Sequence, residues 1–190
     1  MKRKIFLLDL GGVVFQSIGI SNDTVNWDII FRLNEIYGPR MDLGEPVFLE
    51  FLKEYNKITD QQLESQDFFK ELFDTLDFNL ELIEFLKCYG DIIIVSDNYP
   101  ENIEYIAKRY NFERWSIAQY YSFTYKMHKA NPDFFATLLK DLSHYDIKDL
   151  IFIDDSITKL ESASKSFIKG IHYINNNQVK AIVEKTLNKG

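Results

Sequence analysis

The chain has 190 residues, 46% of them apolar and 27% charged, which suits a soluble α/β core with at most one small insertion. A net charge of −7 without a basic stripe excludes a nucleic-acid surface, and no apolar run approaches the length of a membrane span. The single cysteine, Cys88, excludes an internal disulfide framework and reads as apolar filler on a helix, while the histidines at 128, 144 and 172 lack zinc-ligand spacing.

The first element is a strand, Ile5 to Leu8. It follows Met1-Lys-Arg-Lys in a manner that mimics a secretion signal, but Asp9 interrupts it and no small-residue cleavage site follows. The expected compartment is the cytoplasm. Asp9 then stands at the mouth of a hydrophobic strand, where a carboxylate is costly unless paired. Gly11 and Gly12 follow at once, so the backbone can turn sharply and bring its N–H groups close to an anion.

From about Ser17 to Gly90 the pattern is helical and rich in aromatics, with no convincing strand. One helix carries Trp27, Ile30, Phe31 and Tyr37, and the next starts at Pro46 with Phe48, Phe51, Leu52 and Tyr55. Thr59 and Gln62 form a capping box for a helix bearing Phe68, Phe69, Leu72, Phe73 and Leu76. Asn79 caps a fourth helix that returns to the sheet at Gly90.

The remaining strands are short continuous apolar runs, as in a sheet buried on both faces: Ile92 to Val95, Ile117 to Tyr121, Leu150 to Ile153 and Ile171 to Ile174. Helices separate them, over Pro100 to Tyr110, from Asn131-Pro132 through Leu139, and from a Ser156 cap to a stop before Gly170. Asn175 to Asn177 reads as a turn. The expected fold is α/β, with a three-layer Rossmann-like parallel sheet built from residues 1–15 and 90–190 and a small helical cap inserted over 16–89.

Ligands of open parallel sheets bind at the carboxyl ends of the strands. Those ends are Asp9, Ser96-Asp97-Asn98 and Asp154-Asp155. Asp9 and Asp154 converging on one point would repel each other, so a hard cation with oxygen ligands is the natural occupant. Mg²⁺, which binds through few carboxylates and substrate phosphate, suits this set.

Four ordered segments carry a resemblance: FLLDLGGVV around Asp9, IIIVSDN around Ser96, the stretch Ser122 to Phe135 around Lys129, and IFIDDS at Asp154 and Asp155. Together they resemble the haloacid dehalogenase (HAD)-like hydrolase superfamily, subfamily I with a C1-type helical cap. The DLGG sequence is similar to a DLGN-type branch that includes sugar-phosphatases. The resemblance implies a Mg²⁺-dependent phosphatase acting on a small phosphomonoester, such as a sugar phosphate, through an aspartyl-phosphate on Asp9. It also implies that Gly11, Gly12, Ser96, Asp97 and Lys129 hold the phosphate, with Lys129 rather than Lys126 as the lysine. Asp9, Gly11, Asp154 and Asp155 would hold Mg²⁺. The partner would be a phosphorylated metabolite, with no nucleic acid or membrane involved, and the protein a monomer or homodimer.

The chain departs from the resemblance at Gly11, where phosphatases of this family usually carry a second Asp that protonates the leaving group. Asp23 and Asp28 are candidate replacements. Two other readings stay open: a catalytically inactive binding or regulatory protein, and a metal-free dehalogenase.

Overall fold

The computed structural model describes residues 3–17 and 25–187. Strand β1 (Lys4–Leu8) runs through the two glycines into a short β2 (Phe15–Ser17). Helices α1 (Trp27–Met41), α2 (Phe48–Thr59) and α3 (Ser65–Asp74) follow, then a short β3 (Leu76–Phe78) and α4 (Leu80–Tyr89). The rest alternates: β4 (Gly90–Ser96), α5 (Pro100–Arg109), β5 (Ala118–Tyr121), a one-turn α6 (Ser122–Tyr125), α7 (Pro132–Asp141), β6 (Leu150–Asp154), α8 (Ile157–Lys165), β7 (Lys169–His172) and α9 (Asn176–Leu187).

Five strands form a parallel sheet in the order β5-β4-β1-β6-β7. Both faces are buried, which is why the strands read as unbroken apolar runs. Alternation along β1 splits the core in two. Phe6 and Leu8 face a cluster shared with Leu82 and Leu86 of α4, Ile103 and Ile106 of α5, and Val179 and Val183 of α9. Ile5 and Leu7 face Phe134, Phe135 and Leu138 of α7 and Ala163 of α8. The result is an α/β sheet with helices on both sides, as expected.

Several details differ from the sequence reading. β2 and β3 pair antiparallel as a two-stranded ribbon at the two ends of the helical segment. Three residues per strand are too few to show a period of two. Thr59 is no N-cap: it closes α2, and its hydroxyl donates to the Tyr55 carbonyl. Ser156 makes no side-chain cap either. α8 ends at Lys165, before Gly170 as expected, and Gly170 itself lies inside β7, where an added Cβ would meet Leu160 Cδ2 at 2.9 Å. Asn175 is not a turn residue alone, since its side chain accepts from Gln178 N and starts α9. Cys88 is exposed and its thiol donates to the Glu84 carbonyl. Among the described residues no helix is long and apolar enough to cross a membrane.

Candidate functional site

β1 is the centre of the sheet, with Leu8 in register with Ile94 of β4 and Ile153 of β6. Asp9 therefore emerges between the two neighbouring strand ends, at the point where the topology switches sides. Its backbone N–H donates to the Ile153 carbonyl at 3.1 Å, which anchors the residue against β6.

Lys129 joins the acids. Its Nζ lies 2.7 Å from Asp9 Oδ1 and 2.6 Å from Asp154 Oδ2, and it also donates to the Val95 carbonyl at 3.1 Å. Asp9, Lys129 and Asp154 are all buried. Lys126, the alternative lysine, points elsewhere and donates to the Leu43 carbonyl. Asp155 is exposed, yet one of its oxygens shares a region under 4.8 Å across with oxygens of Asp9 and Asp154.

Asp97 holds the lysines. Its Oδ1 accepts from Lys129 N at 2.8 Å and its Oδ2 lies 3.4 Å from Lys159 Nζ. Lys159, in the first turn of α8, also approaches Asp9 Oδ2 at 3.7 Å. The sequence reading did not include it in the site, although a cation one turn past the acidic end of β6 was a usable signal. Ser96 is buried at the end of β4, its hydroxyl donating to the Asp97 carbonyl. Ser122 supports the same corner by accepting from Asn98 N.

The glycines serve different ends. Gly12 has φ +72°, a conformation that strains any residue with a side chain, and a Cβ there would also displace the Asp155 carboxylate. The Gly12 N–H donates to the Phe15 carbonyl at 2.9 Å, so in this conformation it closes the turn instead of facing an anion as the sequence reading has it. Gly11 is exposed, and a Cβ built on it meets nothing within 4 Å. The space for a second acid is present and the acid is not. Of the two proposed replacements, Asp23 lies outside the described residues and Asp28 is exposed on the first turn of α1.

The electrostatics follow from this crowding. Burial pushes Asp9 up, but Lys129 and then Lys159 outweigh it and hold the carboxyl below its usual range. Burial, aided by the Asp9 charge, lifts Asp154 to about 6 against the pull of Lys129. Burial would lower Lys159, but Asp9, Asp154 and Asp97 raise it. Four carboxylates (Asp9, Asp97, Asp154 and Asp155) thus face two ammonium groups (Lys129 and Lys159), leaving two negative charges uncompensated. An all-oxygen donor set with that deficit fits one hard divalent cation.

A further acid, Asp42, sits at the C-terminus of α1, 4.0 Å from His128 Nδ1. Burial and the neighbouring Asp97 raise its pKa to about 7. Nothing in the local sequence marks it, because only the docking of α1 on the sheet brings it near Asp97.

The architecture is shared with solved structures at low sequence identity. A HAD family enzyme from Bacteroides thetaiotaomicron, in complex with magnesium and inorganic phosphate, has a TM-score of 0.65 and 19% identity over 90% of this chain and 93% of that one. A predicted HAD-like family hydrolase from Porphyromonas gingivalis has a TM-score of 0.66 and 19% identity over 98% of each chain. A HAD-superfamily hydrolase from Ehrlichia chaffeensis has a TM-score of 0.55 and 18% identity over 98% and 99%. No protein-family model and no curated protein matches the chain. These likenesses concern the fold.

Proposed function

We propose that this chain is a HAD-like, Mg²⁺-dependent phosphatase of small phosphorylated metabolites, with Asp9 as nucleophile and α1–α3 as a cap over the site. The observation that carries the reading is the contact of Lys129 with both Asp9 and Asp154 at the switch point of the sheet. The magnesium and phosphate bound by the Bacteroides enzyme of like fold support it.

Asp9, Asp154, Asp155 and the Gly11 carbonyl would hold Mg²⁺, which when bound supplies positive charge to the phosphoryl oxygens. Asp9, kept ionised by the lysines, attacks phosphorus; the bond to the ester oxygen breaks and an aspartyl-phosphate forms. Water then hydrolyses that intermediate and returns the carboxylate. Lys129 stabilises charge on the transferring group, and the Ser96 hydroxyl and Gly11 amide position it. A buried, pre-oriented ammonium is suited to this because it needs no reorganisation as charge develops.

Gly11 offers no proton to the departing oxygen, and general acid catalysis contributes roughly 10²–10⁴ in rate. The rate with Mg²⁺ should therefore fall steeply as the leaving group becomes more basic, and Asp9→Asn should abolish turnover. A shallow dependence would mean that another group supplies the proton, and loss of that shallowness in Asp42→Asn would identify Asp42 as that group. No turnover of any ester, with Mg²⁺-dependent phosphate binding retained, would select the reading of an inactive binding protein, which the missing acid at Gly11 also favours.

A further inference from the structure

Between the helical segment and the sheet lies a cavity of about 520 Å³, within the size range of small-molecule sites. Its lining includes the rings of Trp27, Phe51, Phe68 and Phe73, the amides of Asn34 and Asn98, and Gly11, Gly12 and Asp155. It thus continues from the proposed phosphate site into an aromatic interior.

Two polar atoms in this lining are buried without a partner among the described residues, Trp27 Nε1 and Asn102 Oδ1. The orientation of the Asn102 amide is set by its neighbour. Asn98 Oδ1 accepts from Tyr99 N at 2.9 Å and from Asn102 Nδ2 at 2.8 Å, so the Asn102 oxygen is the atom left over. The cavity therefore adds one donor and one acceptor to a lining that is apolar over most of its area, with Ser17, Asn34, Asn98 and Asp155 among its other polar side chains. Buried polar atoms are ordinarily satisfied, and one donor with one acceptor lining the same cavity suits a ligand that supplies their partners.

We propose that this cavity binds the leaving group of the substrate, and that this group is an aromatic ring with a hydrogen-bonding substituent, making the substrate an aryl phosphate. The assignment rests on the phosphatase reading above. A sugar would bring a hydroxyl on nearly every carbon against a lining that is apolar over most of its area, where few of them find partners. An aromatic ring stacks on the rings of that lining. Gly11 points the same way independently. An aryl oxide, whose conjugate acid has a pKa of about 10 as in tyrosine, departs without the proton that Gly11 cannot give. The P–O bond breaks with its electron pair on the aryl oxygen, which takes its proton from solvent.

Binding of non-hydrolysable phosphonates to the full chain with Mg²⁺, measured by calorimetry, tests this apart from turnover. Inorganic phosphate and methylphosphonate report the phosphate site alone. Benzylphosphonate should bind about tenfold or more tighter than methylphosphonate, through burial of the ring. A 4-hydroxybenzyl analogue should bind tighter still, and Trp27→Phe, which keeps a ring but removes the donor, should cost that analogue about fivefold and benzylphosphonate little. A glycosyl phosphonate should gain nothing over methylphosphonate. Equal binding of methyl, benzyl and glycosyl phosphonates would overturn the cavity assignment and leave the phosphatase reading standing. Failure of inorganic phosphate and every phosphonate to bind would remove that reading and this proposal with it.

Discussion

Lys129 is fully buried, and such burial is tolerated because two carboxylates lie at hydrogen-bond distance from its ammonium group. Removing that cation leaves Asp9 and Asp154 facing each other out of water. Lys129→Met should therefore cost about 3–5 kcal/mol in urea unfolding without added metal. Mg²⁺ should restore part of the loss, and stabilise the variant more than the wild type, since a divalent cation replaces the missing charge. A loss under about 1 kcal/mol would mean that the bridge contributes little. Asp42 gives a separate pH signature. Its pKa is raised from 3.8 to about 7, so the native state keeps the proton while the unfolded chain releases it. Stability from this group is complete below pH 3.8 and is lost as pH rises through 7. Relative to wild type, Asp42→Asn should gain stability steadily between those limits and no more beyond them. Thermal melts of both proteins at several pH values check this; a constant difference would remove the shift.

Asn79 links three elements. Its Oδ1 accepts from Leu82 N and so caps α4, while its Nδ2 donates to the Val13 carbonyl at 3.0 Å. It also forms a reciprocal amide pair with Asn176 on α9, each bond 2.9 Å. Asn79→Ala loses a cap and strands a buried carbonyl, at a cost of about 2–4 kcal/mol. Asn79→Asp keeps the cap acceptor and loses the donors, so its unfolding midpoint should fall between wild type and the alanine variant. Sequence made the capping half of this role visible, because Asn before an apolar helical run is a local signal. The half that reaches α9 was hidden, since Asn175 to Asn177 looks like a turn until the helix beyond it is known. The same divide runs through the site. Asp9, Ser96 and Asp154 were legible as polar residues ending apolar strands, and Lys129 through the resemblance of its surroundings. Lys159 was legible only as a cation one turn past the acidic end of β6 and Asp42 not at all, because their approach to Asp9 and Asp97 depends on how α8 and α1 pack. Gly12 was legible as a turn residue but not as the contact surface of Asp155.

At the scale of the whole molecule the helical segment is not a separate globule. Phe48, Phe51 and Tyr55 of α2 and Phe68 and Phe69 of α3 belong to the same buried cluster as Phe6 and Leu8 of β1 and Ile92 and Ile94 of β4. Rings cross the boundary directly: Phe48 stacks on Tyr99 at 5.6 Å and Phe69 on Tyr105 at 5.4 Å. The β2–β3 ribbon ties the two ends of the segment together, and Arg109 of α5 reaches Asp74 of α3 at 2.6 Å. An exposed ion pair of this kind contributes about 0–1 kcal/mol, so the shared apolar cluster decides the coupling. Detaching α1–α3 would expose both its own rings and one face of the sheet, at about 25 cal/mol per Å² of apolar surface. The helical segment and the sheet should therefore unfold together. Calorimetry should show one transition, with calorimetric and van't Hoff enthalpies equal. A surface change such as Arg109→Ala should leave that single peak intact, while Phe69→Ala, which removes a ring packed against α5, should lower its midpoint as a whole. Two resolved peaks, or a Phe69→Ala variant in which only one part of the heat shifts, would show that the segment folds on its own and that its interface with the sheet is weaker than the packing implies.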